Sequence, residues 1–288
     1  MSSCISVFIF AKDEAANIGK CLECLRRCGA SAIVLDSGSA DQTQEIASGF
    51  DNAEVRPFVY RNHHLAYNEI TTRLVEPGDW AMILDADMEV SPALWDELHE
   101  LAGRESANVL VAPVRMYVDG MRLSHGSLYP PKPIVFRAGA EYFVAKGHGE
   151  KLIDAARTQH TQAELGHNDL KPFERFLASQ VRYADNTWRR VHASQSGWFD
   201  RLSLTFPIRA IVTPLVSYVV RGGALSGIAG LVYALDIVVA SLIQYRCFLS
   251  RRLHNPQLPV DAAVPLSTAQ DPAGSHPTSA RASASSEG

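Results

Sequence analysis

The amino-acid sequence predicts an α/β fold, a doubly wound and mostly parallel sheet flanked by helices, followed by an apolar helical region toward the C-terminal end. Three observations carry this expectation. Between residues 4 and 114, short apolar and β-branched runs alternate with helical stretches. Several of these runs end in acidic or small polar residues, at the rim where open α/β sheets place their ligands. Beyond residue 186 the chain becomes apolar over long stretches.

The run CISVFIF is the first strand, and AANIGKCLECLRRC the helix after it, because Ile18, Leu22 and Leu25 recur at helical spacing. Cys21, Cys24 and Cys28 fall inside that helix. With no second Cys or His pair nearby to complete a tetrahedral zinc site, they read as helix-face residues. AIVLD is the second strand, QTQEIASGF the second helix and AEVRPFV the third strand; a helix around LAYNEITTRLV then leads to the strand WAMILDAD. His63 and His64 lack a matching third ligand and read as loop residues. Pro130, Pro131 and Pro133 in SHGSLYPPKPIVFR favour an extended loop.

Composition excludes some classes. A chain of 288 residues with 47% hydrophobic content builds one large core or two modest ones. Its net charge of -4 gives no general attraction to nucleic acid. Five cysteines, an odd number, with no secretory signal ahead of them, point to a reducing, cytoplasmic compartment.

The strand ends carry the chemistry. Asp36 closes AIVLD, and Ser37, Gly38 and Ser39 let the backbone approach a bound group closely. The same residues also suit an Asx turn leading into a helix capped by Asp41, which needs no ligand. Asp85 and Asp87 lie two apart at the end of WAMILDAD, where both reach one rim, and hard divalent cations prefer such oxygens.

FIFAKDEAANI, VLDSGSADQT and GDWAMILDADMEV together resemble the nucleotide-sugar motifs of inverting family 2 glycosyltransferases, which have the GT-A fold. Within that family the chain most resembles bacterial lipopolysaccharide-core β-glucosyltransferases. The resemblance implies that Asp13, replacing a usual Asn, and Glu14 touch the nucleoside. It implies that Asp36, with Ser37 and Gly38 beside it, meets the uracil edge and that Asp85 meets the ribose or sugar. Asp87 then holds Mg²⁺ or Mn²⁺ on the diphosphate, while Met88 takes the place of a usual Glu, with Glu89 one residue later. Asn68 faces the donor, and Arg137 either meets the diphosphate or caps a strand edge. In AKGHGEKLI, Gly149 stands where the family often has His, and Glu150 is the general base that inversion requires. His167 helps to hold the metal, or is a capping or core His; Asn168 and Asp169 suit helix caps.

The expected organisation is a GT-A catalytic domain over 1–185, with a nucleotide-sugar half (1–112) and an acceptor half (113–185). A helical membrane-associating region (186–252) and a disordered tail (253–288) follow. In the helical region Leu225, Ile228, Leu231, Leu235, Val238 and Leu242 form one stripe, with Ser226, Tyr233, Asp236 and Gln244 largely on another side. Arginines flank the apolar stretches, so a helix lying on the cytoplasmic membrane surface fits better than a span interrupted by Asp236. A buried helical hairpin in a soluble dimer fits the same pattern. The expected activity is transfer of a hexose from a UDP-sugar, with inversion, to a lipid-linked saccharide in cell-envelope glycan synthesis, at the inner face of the membrane. The alternatives are a polyprenyl-phosphate sugar synthase and a nucleotide-sugar-binding protein without turnover.

Overall fold

The computed structural model describes residues 4–104, 106–146, 149–153, 156–192 and 207–254. Its central sheet has seven strands: β1 (Ile5–Ala11), β2 (Ala32–Asp36), β3 (Ala53–Pro57), β4 (Trp80–Asp85), β6 (Val109–Ala112), β9 (Lys132–Arg137) and β12 (Thr158–His160). They lie side by side in the order β12-β6-β9-β4-β1-β2-β3. β1 pairs in parallel with β2 and β4, β2 with β3, and β12 with β6; β9 runs antiparallel to both its neighbours. The sheet is therefore mostly parallel, as the strand and helix alternation predicts.

Helices cover both faces. Val7, Ile9, Val34, Met82 and Leu84 face α1 (Ile18–Arg27) and α4 (Pro92–Gly103), which bury Leu22, Leu25, Leu94 and Leu98 against them. Phe8, Leu35, Ala81, Ile83 and Phe136 face the other way, onto Tyr67 and Ile70. Alternate residues of one strand thus enter different cores, and the strands read as continuous apolar runs because neither face meets water. Cys21 sits on the buried side of α1, and all five cysteines are free.

Two expectations change here. His63 and His64 belong to a helix, α3 (His63–Glu69), because the Asn62 side chain accepts from the Leu65 amide and caps it. The segment expected to be an extended loop contains β9, in the middle of the sheet. Pro133 falls where the register with β6 shifts, between Leu110 and Val111, the kind of irregularity at which a strand tolerates proline.

A smaller sheet follows the order β5-β13-β7-β8, built from β5 (Met88–Glu89), β13 (Leu165–His167), β7 (Val114–Val118) and β8 (Met121–Arg122). A hairpin of β10 (Phe143–Lys146) and β11 (Gly149–Leu152) packs beside α3.

At the C-terminal side lie α5 (Phe173–His192), α6 (Arg209–Leu215) with a π turn at Val216–Val220, a 3-10 turn at Gly223–Ser226, and α7 (Ile228–His254). α5 runs through the expected boundary at 185, and α5 and α6 both pack on α7. The apolar stripe of this unit points outward: Ile211, Val219, Val220, Leu225, Ile228 and Leu235 are all more than half exposed. Ser226 and Tyr233 point inward and bond to the loop that precedes β9, an inversion of ordinary amphipathicity. Among the described residues one helix, Ile228–Arg251, is long and apolar enough to cross a bilayer. The expected disordered tail falls, but for its first residues Leu253 and His254 at the end of α7, outside the described residues.

Candidate functional site

Register brings the motif residues to one level. Ala11 pairs with Asp36, and Phe10 with Asp85, so the segments after β1, β2 and β4 leave the sheet at the same carboxyl-end rim. They border a cleft of roughly 880 Å³ whose lining includes Asp13, Glu14, Ser37, Asp85, Asp87 and His167.

The turn after β2 is organised by Asp36, which is only 3% exposed. Its Oδ2 accepts from the amides of Gly38 (2.9 Å) and Ser39 (3.0 Å) and from Gln44 Nε2 (2.6 Å), and its Oδ1 accepts from the Ser39 hydroxyl. Burial pushes this carboxyl up, and the hydrogen bonds from Ser39, Gln44 and Gly38 outweigh it and hold it below the ordinary value. The Asx-type turn considered from the sequence is therefore present. Gly38, at φ +79°, supplies the left-handed step that turn needs, and its carbonyl accepts from Lys12. Asp41 accepts from the Thr43 amide at the start of the next helix, α2 (Thr43–Ser48).

This turn is tied to the one after β1. Asp13, itself at φ +54°, accepts from the Ala40 amide through Oδ1, and its own amide donates to Ser39. Glu14 accepts from Lys171 Nζ at 2.6 Å and from Asn17 Nδ2 at 2.8 Å.

Asp85 forms an ion pair with Lys132, whose side chain is 13% exposed against 37% for Asp85. Burial alone would raise the Asp85 pKa; the Lys132 ammonium overrides it and keeps the carboxylate charged. Among the described residues no lysine or arginine pairs with Asp87. Burial, helped by Asp85, Asp169 and Glu14, pushes its carboxyl up to about 6 against the opposing influence of His167. His167 Nε2 lies 3.5 Å from Asp87 Oδ2, brought there by the pairing of His167 with Met88. Among the described residues, Asp87 Oδ1, His167 Nδ1 and the neighbouring Asn168 Oδ1 are buried without a hydrogen-bond partner. Orphaned polar atoms of this kind are uncommon in folded proteins and call for a ligand, ion or water.

The cleft contains residues that sequence reasoning passed over. Lys132 lay inside the stretch read as loop, and only the sheet topology brings it beside Asp85. Asp169 and Asn168 are not helix caps, since α5 begins at Phe173. Asn168 donates to Glu89, and Asp169 accepts from Asn17 and lines the cleft. Arg175, Gln180, Arg182 and Tyr183 of α5 close one wall, and Tyr129 another.

Two candidate positions lie elsewhere. Asn68 is buried and does not line the cleft. Its Oδ1 accepts from the amides of Tyr142 and Phe143, and its Nδ2 donates to the Phe143 carbonyl, so it fastens the start of β10. Arg137 pairs with Trp80 at the opposite end of β4, away from the acidic rim. Glu150 lies on β11 opposite Ala145, and its side chain falls outside the described residues.

With this geometry in place, the comparison with known proteins is direct. The model described as Glycosyl transferase family 2 matches residues 6–147, which hold the β1, β2 and β4 rim. Residues 6–147 fall in glycosyl transferase family 2. Among its relatives, a lipopolysaccharide core biosynthesis glycosyltransferase, LpsC of Rhizobium meliloti, is 33% identical over 100 residues, 34% of this chain and 36% of that protein. An uncharacterized glycosyltransferase of Rickettsia bellii is 29% identical over 109 residues, 38% of this chain and 36% of that protein. The matched region thus spans about a third of the length of these relatives. Of the solved structures, S. aureus TarS 1-349 in complex with UDP aligns with a TM-score of 0.43 and 14% identity, covering 87% of this chain and 91% of that one.

The family match ends at residue 147, yet the cleft also takes in His167, Asp169, Lys171 and Arg175. Half of the site's polar lining therefore comes from chain beyond the family match.

Proposed function

We propose that this chain transfers a hexose from a UDP-sugar, with inversion, to a lipid-linked saccharide in cell-envelope glycan synthesis, while seated on the inner face of the cytoplasmic membrane. The observation that carries the reading is the acidic centre. Asp85 is held ionised by Lys132, and Asp87, whose Oδ1 is buried without a partner among the described residues, lies beside the Nε2 of His167. An Asp oxygen suits Mg²⁺ or Mn²⁺, and the imidazole Nε2 beside it favours the softer Mn²⁺. No group of three or more side chains able to hold a metal occurs among the described residues, so the remaining ligands fall to substrate phosphate and water. When bound, the cation neutralises charge on the departing diphosphate.

The residues of this chain divide the remaining work. The turns organised by Asp36 and Asp13 present Ser37 and Gly38 to the nucleoside, and Lys132 keeps Asp85 an acceptor for ribose or sugar hydroxyls. Glu150 is the proposed base that takes the acceptor hydroxyl proton as its oxygen attacks the anomeric carbon. Support for a membrane-borne acceptor comes from the outward apolar stripe of the C-terminal helices and from the lipopolysaccharide role named for the LpsC relative.

Asp87→Ala tests the centre. Titration calorimetry should show UDP binding that Mn²⁺ strengthens in the parent protein and leaves unchanged in the variant, with the same melting temperature. Equal Mn²⁺ coupling in both proteins would remove the assignment. Turnover of a UDP-sugar with a phosphate acceptor alone would favour the polyprenyl-phosphate reaction.

A further inference from the structure

The loop over residues 123–131 joins two parts of the molecule. Its inner end carries Tyr129, whose ring lies 5.0 Å from that of His167 and lines the cleft. Its backbone is fastened to the C-terminal helices at four points. The His125 amide donates to Ser226 Oγ at 2.8 Å, and the Ser217 hydroxyl donates to the Gly126 carbonyl at 2.8 Å. Arg221 donates to the Ser127 carbonyl at 2.9 Å, and the Leu128 amide donates to the Tyr233 hydroxyl at 3.2 Å.

The contact is also sterically close. Gly126 stands at φ +92°, and a Cβ there would come within 2.6 Å of the Gly223 Cα, so two backbones touch where only glycine permits it. Tyr129 and Tyr233 pack against one small apolar cluster, Met116, Leu123 and Ala229. A continuous packed path therefore runs from α7 through Tyr129 to His167 and on to Asp87.

We propose that Tyr129 is a positioning residue for His167, and that the C-terminal helices hold it in place through the 123–131 loop. The helical unit is then a wall of the site as well as an attachment surface, and seating it sets the geometry of the cation centre. The His167 Nδ1, the ring nitrogen away from Asp87, is buried without a partner among the described residues, so packing against Tyr129 orients the ring where a hydrogen bond would otherwise do so. The inference rests on the reading that Asp87 and His167 hold the cation.

The test uses the full chain and two readouts. The first is the imidazole carbon–proton resonance of His167 without metal, assigned with His167→Gln. The second is the factor by which Mn²⁺ strengthens UDP binding. Ser226→Ala and Tyr233→Phe each remove fastening bonds while keeping bulk. Both should shift or broaden the His167 resonance and lower the Mn²⁺ factor about 10-fold, the scale for groups that orient a metal ligand. Ser226→Thr keeps the hydroxyl and should restore both readouts, which a general loss of stability would not do. An unmoved His167 resonance in Ser226→Ala and Tyr233→Phe overturns the proposal, even where Mn²⁺ coupling is intact. A resonance that moves in the two variants, where the parent protein shows no Mn²⁺ coupling, upholds the positioning and sinks the cation reading instead.

Discussion

Lys132→Met removes the ammonium from Asp85 while nearly preserving side-chain length. At an ordinary ion-pair contact of about 3 Å and an effective dielectric of about 20, the gross attraction is about 5 kcal/mol. Desolvation of the two charges offsets part of this, and breaking one partner of a buried pair costs about 3–5 kcal/mol. The Lys132 side chain is nearly buried, but Asp85 keeps 37% of its side chain exposed, so water solvates the remaining carboxylate and the lower end applies. A loss of about 3 kcal/mol lowers the melting temperature by about 6–12 °C for a domain of this size. The pH dependence follows from the two shifts. The Asp85 pKa is lowered, so its contribution is present above about pH 4 and lost as pH falls through the folded value. The Lys132 pKa is raised, so its contribution is complete below about pH 10 and lost only above it. The difference between parent and variant should therefore be full between those limits and shrink in acid. Adding Asp85→Asn to the variant should recover stability, since no unpaired charge remains, without recovering UDP affinity. Calorimetric scans from pH 3 to 8 measure this, and equal melting temperatures of parent and Lys132→Met at neutral pH would refute the reasoning.

Asn68→Ala should cost about 2–4 kcal/mol, because the buried amides of Tyr142 and Phe143 lose their acceptor, yet leave UDP affinity unchanged by calorimetry. Asp36→Ala should both destabilise the protein and weaken UDP binding, since the four bonds it accepts shape the turn that presents Ser37 and Gly38; unchanged binding by a folded variant would detach that turn from the donor. Glu150→Gln should retain UDP affinity and slow transfer to a hydroxyl acceptor by about 100-fold. Asp169→Asn, altering a carboxylate that lines the cleft, is the comparison that identifies the base if Glu150→Gln turns over normally. Vesicles containing anionic lipid should carry the protein upward in a flotation gradient, and Leu235→Glu, placed in the outward stripe, should reduce that fraction.

Much of the first 112 residues was legible in the sequence, because a parallel sheet buried on both faces leaves a plain signature. Its strands are unbroken apolar runs, and the residues just past the carboxyl end of each run must lie on one rim. AIVLD matches β2 residue for residue, and the acids of the first, second and fourth strands do share a level. Local patterns also described the turn at Asp36, since an Asx turn is made by residues adjacent in the chain.

Partners distant in sequence were decided only by the tertiary structure. Lys132 reaches Asp85 because β9 enters the sheet antiparallel beside β4, and no local periodicity announces a proline-bearing strand there. Asn68 looked like a donor contact and instead serves the backbone of β10, 75 residues away. The apolar stripe of the C-terminal helix was readable from spacing alone, but which way it faces was not. Periodicity assigns residues to faces of a helix; the bonds of Ser226 and Tyr233 to the 123–131 loop decide that the polar face turns inward and the apolar face outward.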